Sequence, residues 1–254
     1  MRHGHNPLCF AMDYPSLEQA KSLTTQLAPH LGMLKVGLEL FVREGAAAVA
    51  FAKDLGLPVF LDLKLHDIPE TVERAVAVAA ELGASVLTVH AQGGARMLER
   101  AATRARETTG GTLQIAAVTV LTSLDASDLD AQGIARGASG DAFVADHVMR
   151  LALLAKSAGV TALVCSAHEV KALRAALGPE IALITPGIRP GPAPRAAASP
   201  QAASGPADDQ KRIATPSQAV QDGATWLVVG RPLRDAQDPV ALARSIGVEL
   251  AGIA

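Results

Sequence analysis

Aromatic side chains are scarce in this sequence: five Phe, one Tyr and one Trp amount to 3% of its 254 residues. A core with so few rings must be filled mainly by Ala, Val, Leu and Ile. Cysteine is scarcer still. Cys9 and Cys165 lie far apart in apolar, strand-like segments with no second ligand pair at metal spacing, so both read as buried thiols rather than as a metal site. There is no Lys/Arg-rich run and the net charge is only −2, which argues against a polyanion-binding surface and against nucleic acid as a partner. No stretch approaches the roughly 18 uninterrupted apolar residues of a membrane span. The opening "MRHGHNPLCF" lacks the apolar centre of a signal peptide. A soluble, cytoplasmic chain with no membrane partner is the expectation. No strand-like run leads into a Gly-x-Gly-x-x-Gly turn, and no internal repeat is visible beyond a strand-helix rhythm.

What is present is apolar material. At 49% hydrophobic and 19% charged residues, the chain can bury a large core and carries too little charge for disorder. Short apolar runs alternate with longer, Ala-rich amphipathic segments throughout. The runs are "LCFAMD", "MLKVGLEL", "VFLDLKL", "VLTVHA", "IAAVTVLT", "ALVCSA", "ALITPGI" and "WLVVGR", which predicts eight strands. Helical candidates cover 16–27, 41–55, 69–82, 95–107, 141–158, 168–177 and 239–251. Continuous apolar strands alternating with helices imply parallel pairing through crossover helices, and eight such units in about 250 residues match a (β/α)8 barrel. The expected fold is therefore α/β, a single TIM-barrel domain over 1–254. An open doubly wound sheet is the alternative, disfavoured by the missing glycine turn. One segment breaks the rhythm: "RPGPAPRAAASPQAASGPADDQKR", 189–212, follows the seventh strand and reads as a long Pro/Ala-rich lid or insertion.

In a barrel of this kind the active site lies at the carboxyl ends of the strands. Those ends carry Asp13, Lys35, Asp62, Lys64, His90, Thr122, Gly230 and Arg231. The densest stretch is "VFLDLKLHDIPETV", 59–72. Side chains alternate along a strand, so Asp62 and Lys64 point to the interior face while Leu61, Leu63 and Leu65 face the helices. Lys35 on the preceding strand can lie beside Asp62, giving a Lys-Asp-Lys chain. Buried ion pairs are weak stabilisers because desolvation offsets their attraction, so stability alone explains two lysines and an acid poorly. Asp67 has a local structural reading: "DIPE" fits a capping box with Asp67 as N-cap and Glu70 at the third helical position. On local grounds Gly230-Arg231-Pro232 also fits a plain strand-to-helix turn, Arg189 a solvated charge, and Thr122 and Ser123 turn formers. His66 and His90 read as structural.

At these residues the chain closely resembles the orotidine 5′-monophosphate decarboxylase family, whose Asp-x-Lys-x-x-Asp signature "FLDLKLHDIPETV" fits throughout; the match covers essentially the whole chain. The resemblance implies a charged network of Lys35, Asp62, Lys64 and Asp67. Asp67 would reach into the neighbouring subunit's site, and with it a homodimer with shared sites is implied. It further implies that Asp13 and, across the interface, Thr71 contact the ribose, that Thr122 with Ser123 meets the pyrimidine edge, and that Arg189, Gln210, Gly230 and Arg231 bind phosphate. An arginine fork suits phosphate oxygens. The chain departs from the family in this loop: relatives connect the arginine to the glutamine more briefly, whereas here about twenty residues lie between Arg189 and Gln210.

The implied activity is decarboxylation of orotidine 5′-monophosphate to uridine 5′-monophosphate without metal or organic cofactor. Lys64 would stabilise the carbanion and return a proton. Three other readings stand beside it. A magnesium-dependent sugar-phosphate lyase or decarboxylase of the hexulose-phosphate synthase type shares the strand motif but has an acidic metal ligand where Lys35 stands. A non-catalytic phosphate-binding barrel would not need all four charged positions. A Schiff-base aldolase would need Lys64 with a depressed pKa, against the push of two flanking aspartates.

Overall fold

A computed structural model of the chain describes residues 6–134, 140–190 and 214–253. Its strands are β1 (Leu8–Ala11), β2 (Met33–Gly37), β3 (Val59–Leu65), β4 (Val86–His90), β5 (Gln114–Val118), β6 (Ala162–Val164), β7 (Ala182–Thr185) and β8 (Trp226–Val229). Each pairs in parallel with the next, and β8 pairs in parallel with β1, closing the barrel. That last pairing excludes the open sheet. The helices are α1 (Leu17–Leu27), α2 (Leu38–Glu44), α3 (Ala46–Asp54), α4 (Pro69–Glu81), α5 (Ala95–Thr109), α6 (Ala126–Ala131), α7 (Asp141–Ser157), α8 (Val170–Leu177), α9 (Pro216–Gln221), α10 (Arg231–Arg234) and α11 (Pro239–Ala251). None of the described helices is long and apolar enough to cross a membrane.

The period-two pattern divides each strand between two cores. Inside the barrel, Met33, Phe60, Ile184 and Trp226 pack with the small Ala11, Ala116 and Ala162. Large residues meeting alanines fill a narrow lumen, which is how the chain manages with so few rings. The alternate residues, among them Phe10, Leu34, Leu61 and Leu87, face outward against helix residues such as Leu27, Val49, Val76 and Leu98. Burying each such side chain is worth about 1.5–3 kcal/mol.

The helix expected over 41–55 is two. Gly45 takes φ 57° and ψ −132°, and its N–H caps α2 by donating to Phe41 O at 2.8 Å; only glycine adopts that conformation cheaply. The short helices α6, α9 and α10 give no periodic signal, because four to six residues are too few to show a helical repeat. Each starts on a local device instead. Asp125 caps α6 by accepting from the N–H groups of Ser127 and Asp128, while the Asp128 carboxylate accepts from Asp125 N–H. Thr215 caps α9, and Gly230 leads into α10 with Pro232 in its first turn.

The capping box at Asp67 does not form. Pro69 is the first residue of α4 and holds the residue before it extended. Ile68, at φ −57° and ψ 150°, is therefore the N-cap. Asp67 falls one position too early, and its Oδ1 accepts from the N–H of Ile68 at 2.6 Å. Glu70 pairs instead with Arg74 one turn on. The lid expected over 189–212 lies outside the described residues except for Arg189 and Pro190.

At the end of the barrel remote from the charged residues, Arg174 of α8 ties several chain segments together. It donates to Gly178 O at 2.5 Å, Ile181 O at 2.8 Å and Gly223 O at 2.9 and 3.2 Å, and to the Thr225 hydroxyl at 3.2 Å. Leaving several half-buried carbonyls without a donor costs about 2 kcal/mol. Arg174→Met should accordingly lower the thermal midpoint by roughly 4–8 °C in a melt followed by circular dichroism, without altering ligand binding at the opposite end.

Candidate active site

The carboxyl ends of the strands surround a cavity of about 320 Å³. Phe60, Val118, Val164 and Val228 line it with apolar surface, and its polar wall carries Asp13, Lys35, Asp62, Lys64, Thr122, Ser123, Arg189, Gly230 and Arg231. The fold thus brings nine of the residues singled out in the sequence to one cavity. Asp67 and Thr71 are exposed and do not line it. Gln210 lies outside the described residues.

Lys35 and Asp62 come from adjacent strands whose pairing sets Gly37 opposite Asp62 and Lys35 opposite Phe60. The Lys64 ammonium donates to both oxygens of Asp62, at 2.8 and 2.9 Å. Lys35 Nζ stands 3.5 Å from Asp62 Oδ2 and donates to Asp13 Oδ1 at 3.0 Å. The result is an alternating row, Asp13-Lys35-Asp62-Lys64. Burial alone would raise the Asp62 carboxyl, but the ammoniums of Lys35 and Lys64 outweigh it and hold its pKa below the ordinary value. Burial likewise works against the Lys35 ammonium, and Asp62 and Asp13 outweigh it, so its pKa is raised. Beneath the row, burial pushes the Cys9 thiol up and keeps it protonated in spite of the nearby Lys35.

Lys64 does not continue an ordinary strand. Its φ is 51°, the single positive value at a non-glycine residue among the described residues. Leu61 pairs with Leu87 and Leu65 with Val89, so β3 uses four residues where β4 uses two. The bulge turns the end of β3 toward the cavity, at a backbone cost of about 1–2 kcal/mol.

Three contributors lie outside the charged pattern legible in the sequence. Gly37 ends β2 where the row is tightest: a Cβ there would sit 2.9 Å from Asp13 Oδ1 and 3.0 Å from Lys35 Nζ. Arg234 on α10 donates to the backbone carbonyl of Asp13 at 2.9 Å and pairs with Asp235, tying the loop after β1 to the helix after β8. Thr88 on β4 is fully buried and bonds both Asp62 and Lys64. Its period-two position inside "VLTVHA" places it inward, and that is the one clue to it in the sequence. His90, two residues on, lies 5.5 Å from His66 ring to ring. Burial, then His66 and Lys64, lowers its pKa, so it is neutral at neutral pH.

On the far side of the cavity, Arg189 follows β7. Its backbone N–H donates to Ala214 O at 2.9 Å and its guanidinium to Ile188 O at 3.1 Å. Arg231 opens α10 immediately after Gly230. Two guanidiniums thus stand over the ends of the seventh and eighth strands, the usual anion-binding quarter of this fold.

A closed parallel barrel with a charged row at one side of its mouth and two arginines at the other defines the class: a (β/α)8 barrel with a polar cavity at the carboxyl ends of its strands. A family model for the Orotidine 5'-phosphate decarboxylase / HUMPS family matches residues 6–246, and the chain belongs to that family. Orotidine 5'-phosphate decarboxylase from Anaeromyxobacter sp. (strain K) is 51% identical over 243 residues, covering 96% of this chain and 97% of the relative. The protein of the same name from Thermobifida fusca (strain YX) is 48% identical over 247 residues, 96% of this chain and 95% of the relative. Among solved structures, orotidine 5'-phosphate decarboxylase from Lactobacillus acidophilus superposes with a TM-score of 0.78 at 33% identity, over 96% of this chain and 98% of the other.

Folding lowers the Asp62 pKa, and stability depends on pH accordingly. A group whose pKa is depressed by folding contributes stability above its unfolded value, near pH 4, and loses it as pH falls through the folded value. The thermal midpoint should therefore fall as pH is taken below about 4. Asp62→Asn should flatten that acid limb, as measured by melts across the series.

Proposed function

We infer that the chain is a cytoplasmic carboxy-lyase that converts orotidine 5′-monophosphate to uridine 5′-monophosphate and CO2 in pyrimidine biosynthesis, using no metal or organic cofactor. The observation that carries this reading within the family is Lys35. Its ammonium fills the space between Asp13 and Asp62. In a magnesium-dependent sugar-phosphate enzyme those carboxylates would be free for a cation, and a lysine between them would repel it. The choice of substrate rests on that chemistry, since one barrel fold hosts many reactions.

Loss of CO2 leaves an electron pair on a pyrimidine carbon that the ring does not delocalise. Lys64 answers it. An ammonium already oriented by Asp62 in a water-poor site stabilises the developing carbanion without reorganising, and then transfers a proton to that carbon, replacing the carboxylate. Asp62 holds Lys64 in place, while Lys35 balances Asp62 and orients Asp13 toward the ribose hydroxyls. Thr122 and Ser123 meet the pyrimidine edge. Arg189, Gly230 and Arg231, with Gln210, receive the phosphate, whose binding energy orients the reacting carbon from a distance. A Schiff-base role for Lys64 fits less well, because its Nζ is held against both oxygens of Asp62 instead of standing free to attack a carbonyl.

Asp67 and Thr71 complete the site of a second copy. Both are exposed and outside this chain's cavity, and they flank Ile68, an exposed apolar side chain at 65%. Leu38 and Val42, on the helix that leaves the neighbouring strand, are also exposed, at 50% and 80%. Apolar side chains beside the mouth suit a two-fold interface that carries Asp67 into the partner's cavity.

Purified chain mixed with orotidine 5′-monophosphate and a chelator should deplete the substrate's ultraviolet absorbance; no turnover sinks the reading. Lys64→Ala should slow turnover by at least ~10³-fold. Mixing Lys64→Ala with Asp67→Ala chains should restore up to about a quarter of wild-type activity, since half the dimers are hybrids with one intact site. If subunits exchange and no activity returns, the shared site is wrong.

A further inference from the structure

We propose that Thr88 is a positioning residue: its hydroxyl locks the backbone kink from which Lys64 projects, and so aims the ammonium. The consequence for turnover rests on the decarboxylase reading; the lock itself does not.

Lys64 occupies a left-handed backbone conformation, φ 51°, that an L-residue other than glycine enters reluctantly because its Cβ crowds the following carbonyl. Such a conformation persists only where neighbours over-determine it. The bulge between Leu61 and Leu65 disturbs the ladder to β4, and a side chain from that strand takes up the Lys64 N–H, which donates to Thr88 Oγ1 at 2.8 Å.

The same hydroxyl donates to Asp62 Oδ1 at 3.0 Å. A hydroxyl has one proton and two lone pairs. A backbone N–H can only donate and an ionised carboxylate can only accept, so the orientation of the Thr88 hydroxyl is fully determined. Asp62 in turn accepts from Lys64 Nζ at 2.8 and 2.9 Å. The bonds close a ring that runs from Lys64 N through Thr88 and Asp62 back to Lys64 Nζ, fixing both ends of one lysine. Thr88 is 0% exposed, so water has no route to replace the hydroxyl. Fixed geometry at the charged group is what pre-arranged electrostatic stabilisation requires.

Thr88→Val keeps the shape and removes the hydroxyl; Thr88→Ser keeps the hydroxyl. Two measurements separate the lock from the reaction. In hydrogen-exchange mass spectrometry, the Lys64 amide should exchange at least ~10-fold faster in Thr88→Val than in wild type and near the wild-type rate in Thr88→Ser. In turnover of orotidine 5′-monophosphate, Thr88→Val should lower kcat by about 10–100-fold with KM within roughly threefold, and Thr88→Ser should recover most of kcat. Unchanged amide exchange in Thr88→Val overturns the proposal, as does a kcat within twofold of wild type or a serine variant as impaired as the valine. Wild-type protein inactive on orotidine 5′-monophosphate would instead overturn the decarboxylase reading, and the exchange measurement would still decide the lock. Should the valine chain not fold, Thr88→Cys, of similar size and much weaker hydrogen bonding, is measured in both ways.

Discussion

Two ammonium groups meet one carboxylate at the mouth of the barrel, Lys64 at 2.8 Å and Lys35 at 3.5 Å from the oxygens of Asp62. Asp62 and Lys35 are nearly enclosed, with side chains 12% and 11% exposed. Taking such charges out of water is costly, and a pair that merely cancels is a poor stabiliser. Each member is tolerable only because the others are present: deleting one leaves a buried charge without its counterpart. This mutual dependence fixes the arrangement of everything around it. A Cβ at Gly37 would press on the tips of Asp13 and Lys35 and displace the row, and Asp13 is drawn against Lys35.

The barrel supplies what isolated charges cannot, a rigid frame with two chemically different ends to its lumen. Deeper in the barrel, Met33, Phe60, Ile184 and Trp226 fill the space with apolar atoms; at the carboxyl ends the same inward positions become Lys35, Asp62 and Gly230. Lys35, Asp62 and Lys64 stand on strands, whereas Arg189 follows β7 and Arg231 opens α10. Closure of β8 onto β1 matters as much as any single residue. It brings the loop after the first strand against the helix after the last, where Arg234 holds the carbonyl of Asp13 across 221 residues of sequence.

Much of this is legible in the amino-acid sequence. The alternation of apolar runs with amphipathic segments points to a parallel barrel, and the barrel points to its own strand ends. Asp62 and Lys64 two residues apart, with leucines between and around them, reveal an inward charged face. Where the sequence misleads, the reasons are of three physical kinds. Gly45 splits a continuous apolar pattern because backbone conformation, not polarity, ends α2. Asp67 fits a capping motif that Pro69 shifts by one residue. Helices of four to six residues, such as α6 and α10, leave no period to read.

Local chemistry in the chain is enough to specify its eight strands, most of its longer helices and their order, because the preference of each side chain for water or for oil is expressed within a few residues of its own position. The same information nominates the charged strand. What it leaves open is register: which group on one strand faces which group on the next, and where a strand departs from its regular path. The kink at Lys64 depends on four residues of β3 matching two of β4, and the hydroxyl that receives its N–H comes from residue 88. Contacts of that kind are set by the pairing of whole strands in a closed sheet, so they come into existence only when the barrel does.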